Sequence, residues 1–124
     1  MVAMSLKNLP LHERMRHALH GIGTAWQEAS FRTELLAAVI AEGTLVWLKP
    51  PMIWDALITL MVALVLSAEL FNTALERTLD GLHPQQAPFV KQAKDLAAGA
   101  VLILSLTSLI LYGMMWGEMG WLQG

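Results

Sequence analysis

Three apolar stretches dominate the chain, and apart from Glu42 in the first of them the charged residues collect at or beyond their ends. The longest, 96–117, runs 22 residues without a charge. That is enough for a helix to cross a hydrocarbon core about 30 Å thick. The second begins near Met52, is free of charge over 56–68, and continues as Glu69-Leu-Phe-Asn-Thr-Ala-Leu-Glu-Arg-Thr-Leu-Asp80 with no breaker before Gly81. A helix over 52–79 is about 42 Å long, so its charged half is expected to leave the hydrocarbon and stand in the interface. The first stretch, 35–48, spans only if its helix starts near Phe31. It carries Glu42 and ends at Lys49-Pro50-Pro51, where proline cannot donate to a helix and restricts the residue before it.

The pattern therefore predicts spans over about 31–49, 52–79 and 94–117, with a loop over 81–90 that holds Pro84 and Pro88. Ahead of them Leu9, Leu11, Met15, Ala18, Leu19, Ile22 and Trp26 recur at helical spacing among basic residues, which predicts an amphipathic surface helix over about 5–28. Pro10, Gly21 and Gly23 weaken that helix. Charges interrupt every apolar run near the start, so no secretory leader is expected there.

Composition narrows the class. Of 124 residues 56% are apolar and 15% charged, where a soluble domain carries about 25% charged. The chain reads as a single all-α integral membrane domain over 1–124, three transmembrane helices plus the surface helix. A net charge of −2 and zero cysteines exclude a disulfide framework and make nucleic acid an unexpected partner. Lys7, Arg14, Arg16, Arg32, Arg77, Lys91 and Lys94 lie on one side of the predicted spans and Lys49 alone on the other. The N-terminus is therefore expected in the cytoplasm, the chain lying in the cell membrane.

The candidate chemistry lies on that same side. At about 100° per residue Glu69, Asn72, Glu76 and Asp80 fall on one stripe of the second helix. A carboxylate at the hydrocarbon boundary is costly unless paired or turned to a cleft, and Glu69 follows 13 uncharged residues. Glu76 and Asp80 also read as a solvated helix end bonded to basic neighbours. Lys94 and Asp95 precede the small-residue run Leu96-Ala-Ala-Gly-Ala100, where another helix can approach closely. A lysine there can hold phosphate as a point charge; it also reads as a snorkelling anchor. Glu28 and Arg32 form an i,i+4 pair. Glu28 falls at the same depth as Glu76, and two carboxylates from different helices suit Mg²⁺ when substrate phosphates supply the remaining oxygens. His17 and His20 share a face but bring no further ligand.

Glu69 to Asp80, followed by Ala93-Lys-Asp-Leu-Ala-Ala-Gly-Ala-Val-Leu102 and preceded by Glu28-Ala-Ser-Phe-Arg32-Thr-Glu34, resembles the signature of the prokaryotic diacylglycerol kinase family, which includes undecaprenol kinases. The likeness covers roughly residues 15 to 116, and no glycine-rich phosphate loop accompanies it. The resemblance implies a homotrimer of three-span protomers that transfers the γ-phosphoryl group of MgATP to a lipid hydroxyl. It implies Glu69 as general base, Glu28 and Glu76 as Mg²⁺ ligands, and Lys94 as the phosphate-neutralising cation. Asn72 and Asp95 complete the polar network, Asp80 lies on the nucleotide side, and Ser30, Arg32 and Glu34 lie on the lipid side. Family members often carry a basic residue near Gly23; this chain has none there, and Arg14 or Arg16 is the expected substitute. Glu42 has no place in the scheme. Diacylglycerol is the first expected acceptor and undecaprenol the second. A proton or cation path through Glu42, Glu69 and Glu76 is the remaining alternative.

Overall fold

Proline and the residue before it set most of the boundaries. In the computed structural model, which describes residues 5–123, a 3-10 turn at Leu6–Asn8 precedes α1 (Leu11–Ala25), α2 (Ala29–Leu48), α3 (Met52–Leu82) and α4 (Pro88–Gln123). The expected surface helix over 5–28 is thus divided. Pro10 takes an extended conformation (φ −56°, ψ 153°) at the start of α1, since it cannot donate within a helix. At the other end Trp26, Gln27 and Glu28 close a tight turn onto Gly23, Thr24 and Ala25. Glu28 itself is extended (φ −89°, ψ 128°), and the chain changes direction there.

Two further boundaries differ from expectation. Gly81 does not stop α3, because a helical glycine costs only about 1 kcal/mol against alanine. The helix ends when His83 (φ −143°, ψ 75°) is forced out of the α region by Pro84. Pro88 then opens α4, where its missing N–H costs nothing. The loop shrinks to 83–87, and Lys91 joins Lys94 and Asp95 on the first turns of α4 rather than preceding it. At the far end Lys49 closes α2 in the left-handed conformation (φ 50°, ψ 57°), with its N–H on the Leu45 carbonyl at 3.0 Å. That conformation makes the sharp return into Pro50 and Pro51 and costs about 1–2 kcal/mol for a residue with a Cβ.

Helix α3 is central and packs along α4 and α2, touching α1 only briefly. Its buried residues are Trp54, Ile58, Met61, Val65 and Glu69. Steps of three and four keep them on one face. At the Lys49 end Leu45, Trp54, Ile58 and Met115 form the core, with Leu48, Leu57 and Leu111 against it. Two polar ties close this end: the Thr44 and Tyr112 hydroxyls are 2.9 Å apart, and the Trp54 indole N–H donates to the Glu118 carboxylate.

Stretches of Met52–Leu82 and Pro88–Gly120 are long and apolar enough to cross a membrane. The apolar stretch of α4 is not buried within the protomer; Leu102, Ile103, Leu109 and Ile110 stand outward, as a bilayer-facing surface requires. Helix α2 has 20 residues and carries Arg32, Glu34 and Glu42. It is long enough, but those three charges keep it below the same standard of apolarity.

Candidate active site

The buried stripe of α3 is apolar for four steps and then ends in a carboxylate. Glu69 is 4% exposed, the only buried charged side chain among the described residues. A buried carboxylate needs a donor, and the Ser30 hydroxyl on the first turn of α2 donates to Glu69 Oε2 at 3.2 Å. The carboxylates whose field reaches Glu69 are Glu34 of α2 and Glu76, two turns along α3. Asn72, between them in sequence, has a buried Oδ1 with no partner. An amide oxygen of this kind is available to accept from a ligand or to coordinate a hard cation.

Beyond Glu69 the stripe is charged and paired across helices. Lys94 of α4 donates to Asp80 of α3 at 2.7 Å, and its Nζ also lies within the field of Glu76. Arg77 Nη2 reaches back to the α1–α2 turn, 3.1 Å from Glu28 Oε1 and 3.2 Å from Gln27 Oε1. Lys91 holds Asp95 at 2.6 Å within α4. These pairs are exposed enough that each adds less than about 1 kcal/mol to stability. Their effect is positional: they keep cations and carboxylates of three helices at one end of the bundle.

Several expectations are met differently. Glu28 and Arg32 do not pair, because Glu28 stands outside the helical turn. Glu28 goes to Arg77, and the Arg32 guanidinium donates to the Trp26 carbonyl at 2.7 Å. The i,i+4 rule applies to two helical residues, and only one of these is helical. Arg14 and Arg16 are exposed on α1 and make no ion pair among the described residues. Asp95 is engaged by Lys91, and Lys94 by Asp80. Arg77, Gln27 and Lys91 were absent from the expected set. The i,i+4 spacing of Lys91 and Asp95 was a usable signal; the Arg77 contacts, 49 and 50 residues apart in sequence, left none.

Two concave surfaces flank the stripe. Between α1 and α3 a cleft of about 450 Å³ is lined by Ala18, Gly21, Ile22, Thr24, Ala25, Leu70, Thr73, Ala74 and Arg77. Among α2, α3 and α4 an apolar groove of about 220 Å³ has Glu34 at one end and Tyr112 at the other, with Ala37, Ala38, Met61 and Val65 between. Both fall near or within the lower range of small-ligand sites. Glu42 stands apart. Its Oε2 accepts from Thr59 at 3.3 Å, while its Oε1 is buried without a partner.

The arrangement is a buried carboxylate adjoining apolar helix surfaces, a free amide oxygen, and cations set among acidic side chains. It can take a proton from a hydroxyl and hold a phosphorylated ligand. Comparison with known proteins agrees with that chemistry. A family model described as prokaryotic diacylglycerol kinase matches residues 16–116. The diacylglycerol kinase of Escherichia coli (strain K12) is 31% identical over 102 residues, covering 81% of this chain and 84% of that protein. The undecaprenol kinase of Bacillus subtilis (strain 168) is 40% identical over 98 residues, covering 77% of this chain and 78% of that protein. The diacylglycerol kinase of Helicobacter pylori (strain ATCC 700392 / 26695) is 28% identical over 109 residues, covering 87% and 82%. The signature residues of α3 and α4, and the match over most of the chain, place this protein in the prokaryotic diacylglycerol kinase family.

Proposed function

We propose that this protein is a membrane lipid kinase that transfers the γ-phosphoryl group of ATP to the hydroxyl of diacylglycerol, giving phosphatidic acid and ADP. The observation that carries the reading is Glu69: a buried carboxylate with one hydroxyl donor, set where the apolar stripe of α3 meets its charged end. A lipid hydroxyl reaching that boundary from the bilayer meets a base there, while ATP approaches from the water.

Glu69 takes the hydroxyl proton as the lipid oxygen bonds to the γ-phosphorus, and the bond from that phosphorus to the bridging oxygen of ADP breaks. Ser30 orients the Glu69 carboxylate through its hydrogen bond. Arg32 and Glu34 border the lipid headgroup, and the apolar groove beside Glu34 suits an acyl chain. Lys94, held by Asp80, neutralises phosphate charge; Asp95 orients the start of α4. Arg14 and Arg16 are the surface-helix cations on the nucleotide side.

The donor set fits Mg²⁺. Glu28 and Glu76 offer carboxylate oxygens, and the Asn72 Oδ1 is unpartnered. Among the described residues no three His, Asp or Glu side chains converge on a complete cage, so nucleotide phosphates would provide the remaining oxygens. When bound with ATP, the ion supplies neutralisation of charge on the phosphoryl and leaving oxygens.

In this reading α2, α3 and α4 are the three spans, α1 lies on the cytoplasmic surface of the cell membrane, and protomers assemble as a homotrimer. The membrane arrangement is supported by the amphipathic face of α1, where Leu11, Met15, Leu19 and Ile22 are exposed together, and by the bias of basic residues; the homotrimer rests on the family resemblance alone. Undecaprenol is the second acceptor, favoured by the 40% identity to the B. subtilis enzyme.

The test is transfer of radiolabel from γ-labelled ATP in mixed micelles, with diacylglycerol and undecaprenol offered separately and together. Labelled phosphatidic acid as the main product is the expected result. Labelled undecaprenyl phosphate as the main product moves the protein to the second acceptor. No labelled lipid from folded protein with Mg²⁺ present overturns the kinase reading.

A further inference from the structure

Helix α3 carries two functional faces. Glu69, Asn72, Glu76 and Asp80 make the acidic stripe; Leu70, Thr73, Ala74 and Arg77, spaced i, i+3, i+4 and i+7, lie roughly 90° round the helix from it. The second face is the α3 wall of the 450 Å³ cleft. The opposite wall, from α1, offers Ala18, Gly21, Ile22 and Ala25. A Cβ built on Gly21 meets nothing within 4 Å, so the space beside it is open. Among the described residues Arg77 is the only charged one lining this cleft.

The position of its guanidinium is defined from the other side of the chain. Nη2 is held by Gln27 and Glu28 of the α1–α2 turn. Nη1 and Nε make no hydrogen bond or ion pair with the described residues beside those of Nη2, so most of the five-donor fork is free to bond a ligand. Arg77 thus stands where the cleft meets Glu28, a quarter turn round α3 from the acidic stripe. Any polyphosphate lying along that stripe is repelled by Glu28, Glu69, Glu76 and Asp80 unless cations border it. Lys94 supplies one cation from α4, tied to Asp80. On the α1 side, Arg77 is the cation that the geometry supplies.

We infer that Arg77 binds the phosphates of the nucleotide with its free N–H groups while its bond to Glu28 keeps that carboxylate at the site. The inference rests on the kinase reading above and goes beyond it by assigning the α1-side phosphate contact to α3 rather than to Arg14 or Arg16. A guanidinium suits this place better than an ammonium, because it can hold a carboxylate and a phosphate at once through separate edges of a planar fork.

The experiment measures binding of ATP, ADP, AMP and adenosine to the full chain in detergent micelles with Mg²⁺, beside KM for ATP and for lipid. With Arg77→Ala, ATP affinity is expected to fall by at least about tenfold. The loss shrinks from ATP to AMP, adenosine binding stays the same, and lipid KM does not move. Arg77→Lys restores part of the loss. Arg77→Gln, which keeps amide donors toward Gln27 and Glu28, carries the same expectation as the alanine variant and serves if that variant loses its folded elution peak. ATP affinity within twofold of wild type in the uncharged variants, or an equal loss for adenosine and ATP, overturns the assignment. If wild-type protein labels no lipid, the kinase reading fails separately, because the binding series still judges Arg77.

Discussion

The two ends of α3 are built by opposite rules. At the Lys49 end Trp54 and Ile58 pack with Leu45 and Met115 into an apolar core, and the polar groups there tie helices together: Thr44 to Tyr112, Trp54 to Glu118. At the Glu69 end the same buried face of α3 runs into a carboxylate, and the surrounding cross-helix contacts are exposed ion pairs. One end is closed by packing and the other is held open by charge. Rigidity and chemistry are thus separated along a single helix, as a site on a fixed scaffold requires.

The largest effect that tests this separation comes from the charged end. Glu69→Gln removes the base and keeps the shape, so kcat is expected to fall by about 10²–10⁴ with ATP binding nearly unchanged. The variant should melt no lower than wild type, because a neutral amide is cheaper to bury than a carboxylate. Lys94→Ala is expected to raise KM for ATP and lower kcat together. Full activity of either variant in the radiolabel assay would remove the separation's chemical half.

The next effect belongs to the packed end. Ile58→Ala should destabilise the protein toward the lower part of the about 2–5 kcal/mol found for such truncations in water. Packing contacts are lost, but in a bilayer the transfer contribution largely is not. Thermal unfolding in detergent measures the loss, and kcat of the protein that remains folded should match wild type. A fall in kcat without a fall in stability would show that the two ends are coupled.

A smaller effect isolates one tie. Tyr112→Phe removes the hydroxyl bonded to Thr44, and interhelical hydrogen bonds in membranes are worth about 0.6 kcal/mol on average. The melting point should drop slightly, with kcat at saturating lipid unmoved, since the ring that ends the apolar groove is kept.

Which parts of this plan were legible in the sequence follows from the range of each interaction. Local rules located the helices: the 22 uncharged residues of 96–117, the Pro50-Pro51 stop and the amphipathic spacing of 9–26 are all short-range signals. The stripe of Glu69, Asn72, Glu76 and Asp80 was legible for the same reason, since helical geometry alone puts them together. Boundaries shifted where a proline could be read in two ways. Pro88 looked like loop and is the first residue of α4, a position where proline is at home. The partners of the stripe were not legible. Ser30 meets Glu69 across 39 residues and Arg77 meets Glu28 across 49, and the tight turn at 26–28 that makes the second contact possible also breaks the expected Glu28–Arg32 pair.

The smallest expected effect distinguishes a pair that builds the site from one that merely borders it. Lys94 and Lys91 both make short bonds to aspartates, at 2.7 Å and 2.6 Å. Lys94 crosses from α4 to α3 and its side chain is 34% exposed; Lys91 stays within α4, one turn from its partner, and is 78% exposed. An i,i+4 pair in water contributes about 0.3–0.5 kcal/mol, and solvent screens most of its field. Lys91→Ala should therefore change stability by less than about 0.5 kcal/mol and KM for ATP by less than about twofold, since 1.36 kcal/mol is needed for tenfold. A larger rise in KM would mean that Lys91 sets the orientation of Asp95 toward the nucleotide. The charged end would then extend a further turn along α4, past Lys94 and toward Pro88.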